Sequence, residues 1–212
     1  LIYNLLVEHV RGLYRKYGYS EVITPQVFDL SLFEQSGHLA NYQYNIYMVR
    51  GGDREYGLKP MNCPSHTVIY RVQRRSYRDL PQIWYQIQTK ERDEARPRSG
   101  VLRTREFLMK DSYTLDPDAA ALEVSYNAHK DAYCRIFERC GLRAIPVEAS
   151  SGAMAGSESI EFMSPSPAGE AWRSIGKAGG WSFISGTAGS MRPIPRAPAL
   201  SPGPGSRKTC FS

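Results

Sequence analysis

The chain has 212 residues, 42% hydrophobic and 23% charged, with a formal net charge of +6. That length supports one large domain with a sizeable core, while no apolar run approaches the ~20 residues of a membrane-spanning helix and no secretory leader is visible. The basic excess would ordinarily point to nucleic acid, but residues 171–212 carry six Lys or Arg and no Asp or Glu, leaving 21 basic and 21 acidic residues in 1–170.

Cys63, Cys134, Cys140 and Cys210 form no CxxC pair or dense framework, so a reduced, cytoplasmic setting is the expectation. The chain opens on Leu1 rather than Met, and its N-terminus is read as a fragment edge. In 2–17, Leu6, Val10, Leu13 and Tyr14, with Tyr17, recur at helical spacing, and Gly18 follows as a stop. Tyr19 to Thr24 is an alternating, β-rich stretch ended by Pro25, which cannot donate to a sheet ladder. The pair reads as an ordinary helix–turn–strand; a helix feeding an edge strand at a subunit interface is the sharper alternative.

Residues 28–47 are polar and rich in aromatics, and His38 there is expected to be a hydrogen-bonding structural residue. Gly51-Gly52-Asp53 predicts a hairpin turn. Pro60-Met-Asn-Cys-Pro64 breaks regular structure twice, and Ser65 is placed to cap a helix bearing Val68, Ile69 and Val72. Cys63 reads as a plain buried thiol, with a thiolate metal ligand as the alternative. The basic run 71–78 reads as a solvated helix end, with RNA contact the minority reading.

Two alternating strands joined by a loop rich in Arg, Pro and Gly fill 84–115. Gln86, Gln88, Lys90, Arg92 and Glu94 share one face of the first, and Arg103, Arg105, Phe107, Met109 and Asp111 share one face of the second. A face of charges and amides with one aromatic is not a core face; it is either solvated or binds something anionic and flat. Asp116 then caps a helix with Pro117 in its first turn, and Leu122, Tyr126, Tyr133, Ile136, Phe137 and Cys140 mark its buried side before Gly141 ends it. Leu142 to Val147 predicts a strand, followed by the small-residue run 150–157, with Glu158 and Glu161 beyond. After Glu170 acidic residues vanish and Gly, Pro and Ser dominate. Residues 171–212 are therefore expected to be a disordered, low-complexity basic tail, not an authentic continuation of the domain, as a reading-frame change would give.

Residues 1–170 resemble the catalytic core of a class II aminoacyl-tRNA synthetase. YGYSEVITPQ resembles the first motif of that class, a helix and strand at a dimer interface, and Arg92-Asp-Glu94 with Arg103-Thr-Arg-Glu-Phe107 resembles the RxE and RxxxF of the second. From about residue 81, YQIQTKERDEARPRSGVLRTREFLMKDSYTLD and SSGAMAGSESIEFM resemble bacterial prolyl-tRNA synthetase. Over the first eighty residues, LFEQSGHLANYQYNIYMV, EYGLKPMNCPSH and RRSYRDLP resemble threonyl-tRNA synthetase instead.

The resemblance implies an α+β fold, an antiparallel sheet flanked by helices, truncated, and dimeric through the first motif. It implies ATP and Mg2+ as cofactors, an amino acid (proline, with threonine as runner-up) and tRNA as substrates, and a homodimer without membrane contact. A non-catalytic ATP- or tRNA-binding module is the other class of reading. Arg92 and Glu94 are implied as catalytic, and Arg92, Glu94, Arg103 and Phe107 as the ATP site: Arg92 on the α-phosphate, Glu94 on the adenine amino group or orienting Arg92, Phe107 on the ring, Arg103 on the outer phosphates. Met61 and Cys63 stand where the prolyl family has the Thr-x-Glu that holds the substrate amine. In the threonyl family Cys63 would bind zinc, with a second ligand, a His, at the position of Tyr113. Glu91 replaces the usual Phe before the Arg, and its carboxylate is expected to face packing at a cost. No third motif is recognisable, so the 212-residue chain alone is not expected to aminoacylate tRNA.

Overall fold

The computed structural model describes residues 1–73, 76–98, 100–149 and 159–166, with the backbone of 171–174, 180–184 and 192–193. It divides into two compact units, Leu1–Ser125 and Tyr126–Ser212. In the first, helix α1 (Ile2–Lys16) buries Tyr14 and stops at Gly18, where φ is 76°, a left-handed value that costs glycine no Cβ clash. Strand β1 (Ser20–Glu21) follows as an edge strand, parallel to β5 (Gln82–Glu91). Strand β5 pairs antiparallel with β6 (Glu106–Leu115) along its whole length, from Gln82↔Leu115 to Glu91↔Glu106.

Glu21 ties these elements together. Its Oε1 accepts from Arg11 Nε and Nη2 at 2.9 and 2.8 Å, and its Oε2 accepts from Tyr85 Oη at 3.0 Å. Tyr14 stacks on Tyr19 and meets Tyr85 edge-on, each with ring centroids 4.5 Å apart.

A second sheet has the order β2 (Val27–Asp29), β4 (Arg54–Leu58), β3 (Met48–Gly51). The two-residue turn Gly52-Asp53 joins β3 to β4, as the glycine pair predicted. Between β2 and β3 lie α2 (Leu30–Gln35), capped by Asp29, and α3 (His38–Tyr42). Phe28, Leu30, Phe33 and Ile46 form the core beneath this sheet. Gly57 lies so close to them that a Cβ would fall 2.9 Å from Phe33 and Ile46.

Two caps differ from expectation. Helix α4 (Cys63–Gln73) starts before Ser65, because Pro64 needs no hydrogen-bond acceptor in a first turn. Ser65 Oγ instead donates to the Asn62 carbonyl at 2.7 Å. Helix α5 (Ala119–Arg139) is capped by Asp118, whose Oδ1 accepts from Ala121 N at 2.8 Å. A cap must reach the backbone N–H three residues on; Asp116 lies too far back and accepts from Ser125 Oγ at 2.7 Å. Leu122 and Cys140, assigned to the buried side of α5, are exposed.

In the second unit, β7 (Ile145–Glu148) and β8 (Ile160–Pro165) pair antiparallel and bury Val147 and Met163. Tyr133 and Phe137 of α5 pack on Phe162, with centroids 5.4 and 5.6 Å away. Cys134 is disulfide-bonded, which departs from the expectation of uniformly reduced thiols; Cys63 and Cys140 are free. The run 150–158, Arg74, Arg75 and most of the tail lie outside the described residues. Beyond Glu170, three short strands, β9 (Ala171–Ser174), β10 (Gly180–Ile184) and β11 (Arg192–Pro193), join a sheet of order β11-β7-β8-β10-β9. These segments are too short for periodicity to register, although Trp172, Trp181, Phe183 and Ile184 are β-favouring types.

Phe33→Ala should destabilise the chain by about 3–5 kcal/mol in urea unfolding. Gly57→Ala should cost ~1–3 kcal/mol by overpacking the same core.

Candidate active site

The ladder register puts Trp84/Tyr113, Gln86/Asp111, Gln88/Met109 and Lys90/Phe107 directly opposite one another, so these pairs share one face. That matches the alternation read from sequence, but the face is not open. Gln86 and Lys90 are fully buried, and Thr24, Lys59, Asn62, Ser65 and His66 are buried with them. The face is a polar interior layer, because the turn before α4 and the end of β1 cover it.

Two ammonium groups share that layer. Lys90 Nζ lies 3.7 Å from Asp111 Oδ2 and donates to the Gln88 carbonyl at 3.0 Å. Lys59 Nζ donates to Thr24 Oγ1 at 3.1 Å. With its oxygen turned toward these donors, the Gln86 amide accepts from Lys59 Nζ at 3.2 Å. Asp111 Oδ2 also accepts from Asn62 Nδ2. Burial, and then the charge of Lys90, lowers Lys59 to about 8. Burial likewise lowers Lys90, against the pull of Asp111.

Strand β5 ends at Glu91, earlier than the expected Glu94. Arg92 N still donates to the Arg105 carbonyl at 2.9 Å, but Asp93 N turns to the Asn45 carbonyl at 3.0 Å, which takes the chain off the ladder. Arg92 Nε donates to the Pro60 carbonyl at 3.1 Å, and its guanidinium carbon lies 5.2 Å from the Phe107 ring centroid. Burial lowers its pKa from the ordinary guanidinium value. Glu94 and Arg103, given separate roles from sequence, meet in an ion pair of 3.0 Å, and the Arg103 hydrogen bond holds Glu94 below the usual carboxylate range. The four ATP-site residues thus form two contacts, Arg92 on Phe107 and Glu94 on Arg103. Glu91 is half-buried opposite Glu106, beside Tyr47, Leu58 and Arg105 around a cavity of about 230 Å³.

Met61 and Cys63 point to different neighbours. Met61 Sδ lies 2.8 Å from Nε2 of buried His38, whose Nδ1 meets Ser36 Oγ at 2.8 Å, so His38 is hydrogen-bonded as expected. Cys63 is exposed rather than buried, and its Sγ lies 3.3 Å from Tyr113 Oη. His66 Nδ1 faces the Asn62 carbonyl at 3.2 Å and so carries the proton, which leaves Nε2 as an acceptor. That Nε2 and Asn62 Oδ1 are buried without a partner. Burial lowers the His66 pKa. Burial, then Cys63 and Asp111, push the Tyr113 hydroxyl far above the phenol range. Zinc requires several thiolate, imidazole or carboxylate ligands around one point. Cys63 faces a neutral phenol at the position of the second ligand, a poor partner for zinc beside a single thiolate, so this pair does not fit the zinc alternative.

Sequence reasoning missed Lys59 and His66 as site components, and marked Tyr113 only as the position of a zinc-binding His in the threonyl family. The alternation of the hairpin pointed to Tyr113, whereas nothing local marks Lys59.

A β-hairpin bearing a half-buried arginine on an aromatic ring, fed by a helix and an edge strand, is the arrangement expected of a class II synthetase core. Residues 42–185 match the model of the tRNA synthetase class II core domain (G, H, P, S and T), running past the composition change at Glu170, and the chain belongs to that family. It is 48% identical over 166 residues to a proline–tRNA ligase of Caldicellulosiruptor saccharolyticus, covering 78% of this chain and 29% of the relative. A proline–tRNA ligase of Mycobacterium tuberculosis is 45% identical over 156 residues, 72% of this chain and 26% of the relative. The longer match cannot fit within 81–212, so similarity to prolyl enzymes reaches into the first eighty residues. Among solved structures, one titled as the RNA binding domain of threonyl-tRNA synthetase from Cryptosporidium parvum superposes with a TM-score of 0.63 at 31% identity, over 68% of this chain and 36% of that one. The chain therefore spans less than a third of the length of these curated relatives.

The Lys59 ammonium loses its proton near pH 8 when folded, against 10.5 ordinarily. Between those values the unfolded chain binds the extra proton, so stability rises with pH through this window, and the full burial cost is present below it. Unfolding free energy should rise by ~3 kcal/mol from pH 8 to 10.5, and Lys59→Met should flatten that slope.

Proposed function

We propose that this chain is the core of a proline–tRNA ligase, occupying at least residues 1–170. The observation that carries the reading is Arg92, half-buried between the Pro60 carbonyl and the Phe107 ring beside the Glu94–Arg103 pair. The similarity to proline–tRNA ligases supports proline as the amino acid.

In the first step a carboxylate oxygen of proline attacks the α-phosphorus of ATP. The bond to pyrophosphate breaks, leaving prolyl-adenylate. The terminal ribose of tRNA then takes the prolyl group and releases AMP. Charge builds on the α-phosphoryl oxygens, so catalysis is mainly positioning and cationic stabilisation. Arg92 supplies a fixed fork of donors that stays charged. Phe107 offers a stacking face once Arg92 moves to phosphate, and Arg103 reaches the outer phosphates as Glu94 turns to the adenine amino group. Magnesium would offset the charge of the phosphate oxygens when bound.

The threonyl structural neighbour favours a second reading, a threonine–tRNA ligase. The Cys63–Tyr113 contact speaks against its zinc-dependent form. We place the reaction in the cytoplasm and the protein in a homodimer. Leu1, Ile2, Tyr3, Leu5 and Leu6 of the α1 region and Ile23 after β1 are all exposed, an apolar face suited to a second copy.

In the full-length parent, ATP–pyrophosphate exchange should depend on proline and not on threonine. Arg92→Ala should lower it by roughly 10²–10³-fold. Nucleotide binding without exchange would instead favour a non-catalytic module. Leu5→Asp combined with Ile23→Asp should shift the parent from dimer to monomer in sedimentation velocity.

A further inference from the structure

We propose that Lys59 is a positioning residue for Arg92: its ammonium pins the stretch whose Pro60 carbonyl holds the guanidinium, and loss of its proton slackens that hold and weakens nucleotide binding. The inference rests on the nucleotide-binding reading of Arg92.

Lys59 follows β4 directly and is held by backbone and side chain together. Its N donates to the Gln26 carbonyl at 2.9 Å, and its carbonyl accepts from Glu91 N at 3.2 Å. Its Nζ reaches three neutral oxygens: Thr24 Oγ1 at 3.1 Å, the Thr24 carbonyl at 3.5 Å and the turned Gln86 amide oxygen at 3.2 Å. An ammonium has three hydrogens for three acceptors, whereas a neutral amine has two hydrogens and a lone pair. Deprotonation therefore sets one of these oxygens against a lone pair. One residue on, the Pro60 carbonyl accepts from Arg92 Nε at 3.1 Å. Lys59-Pro60 and Glu91-Arg92 thus run side by side through two successive contacts, and a displaced lysine carries the arginine's acceptor with it.

Charged groups face Lys59 from the elements packed on it: Lys90 on β5, Asp111 on β6 and His66 on α4. The Phe28 ring of β2 lies 5.8 Å from its Nζ. Burial and then Lys90 oppose the ammonium, Asp111 favours it, and the proton is lost at a pH of about 8. Below that pH the charge costs stability, and a methionine of similar length would remove the cost. Stability therefore supplies no reason for an ammonium here. Holding the Pro60 carbonyl against Arg92 does.

The test uses the full-length parent as wild type, Lys59→Met and Thr24→Val, each checked for folding by circular dichroism. ATP affinity is measured by equilibrium dialysis from pH 7 to 9. The phenylglyoxal modification rate of Arg92, relative to that of exposed Arg50, is read by peptide mass spectrometry over the same range. In wild type, affinity should fall about tenfold as the protonated fraction falls, and relative Arg92 reactivity should rise several-fold with a midpoint near pH 8. Lys59→Met should lose both midpoints and stay at the reactive, weakly binding level. Thr24→Val keeps the lysine but removes one acceptor of the ammonium, so its midpoint should move to lower pH. Arg92 reactivity that is flat with pH in wild type would overturn the inference. So would a midpoint that survives in folded Lys59→Met, which assigns the proton to another group such as Lys90, or one that stays in place in Thr24→Val. ATP affinity unchanged from pH 7 to 9 would overturn it too, while leaving the nucleotide site standing. No ATP binding by wild type at any pH removes the proposed function, and the Arg92 reactivity profile then decides the inference by itself.

Discussion

Two buried ammonium groups and one carboxylate set the terms for the rest of the first unit. Lys59 is 1% exposed and Lys90 0%, and among the described residues Asp111 is the carboxylate paired with Lys90 in their shared layer. Buried charge is tolerated only when it is paired and its remaining hydrogens are accepted. Thr24, Gln86 and the Gln88 carbonyl do the accepting, which draws the end of β1, the turn before α4 and both hairpin strands onto one layer. The backbone follows the side chains. Lys59 N donates to the Gln26 carbonyl at 2.9 Å, and Glu91 N donates to the Lys59 carbonyl at 3.2 Å. The next carbonyl, that of Pro60, receives Arg92 Nε. The position of the arginine is thus inherited from the lysine layer beneath it.

Much of this was legible locally. Alternation placed Gln86, Lys90, Phe107 and Asp111 on one face, and the ladder keeps them there. Gly18 and the Gly52-Asp53 turn fell where their backbone freedom required. What periodicity does not encode is contact between distant segments. Cys63 and Tyr113 are 50 residues apart in the chain, Met61 and His38 are 23 apart, and Lys59 sits in a stretch with no repeating pattern. The strand end at Glu91 was hidden for the same reason, since the competing acceptor for Asp93 N belongs to Asn45. The charged face, read as solvated or ligand-binding, is buried at Gln86 and Lys90, because the covering turn lies outside the hairpin.

The mixed likeness has a structural location. The turn bearing Met61 and Cys63 reads as threonyl-like and the strand bearing Tyr113 as prolyl-like, and the two meet at a single 3.3 Å contact. A thiol is short, and a tyrosine on the facing strand is long enough to close the distance while its ring rests on His66. A substitution at either position therefore changes what the other can do, which makes the pair one coupled unit rather than two independent positions.

The cations along the hairpin also divide by chemistry. Lys59, buried, is titratable near pH 8. Arg92 is lowered by burial but starts from a guanidinium value, so it stays charged wherever the protein is folded. Arg103 is compensated by Glu94 at the exposed end. On the proposed function, the group that meets developing phosphate charge at every working pH is the second of these, and its guanidinium carbon lies 5.2 Å from the centre of the Phe107 ring. Lysine at position 92 would keep the charge but lose both the fork and the stacking. The lysines serve below, where a compact charge that can give up its proton is cheaper to bury than one that cannot.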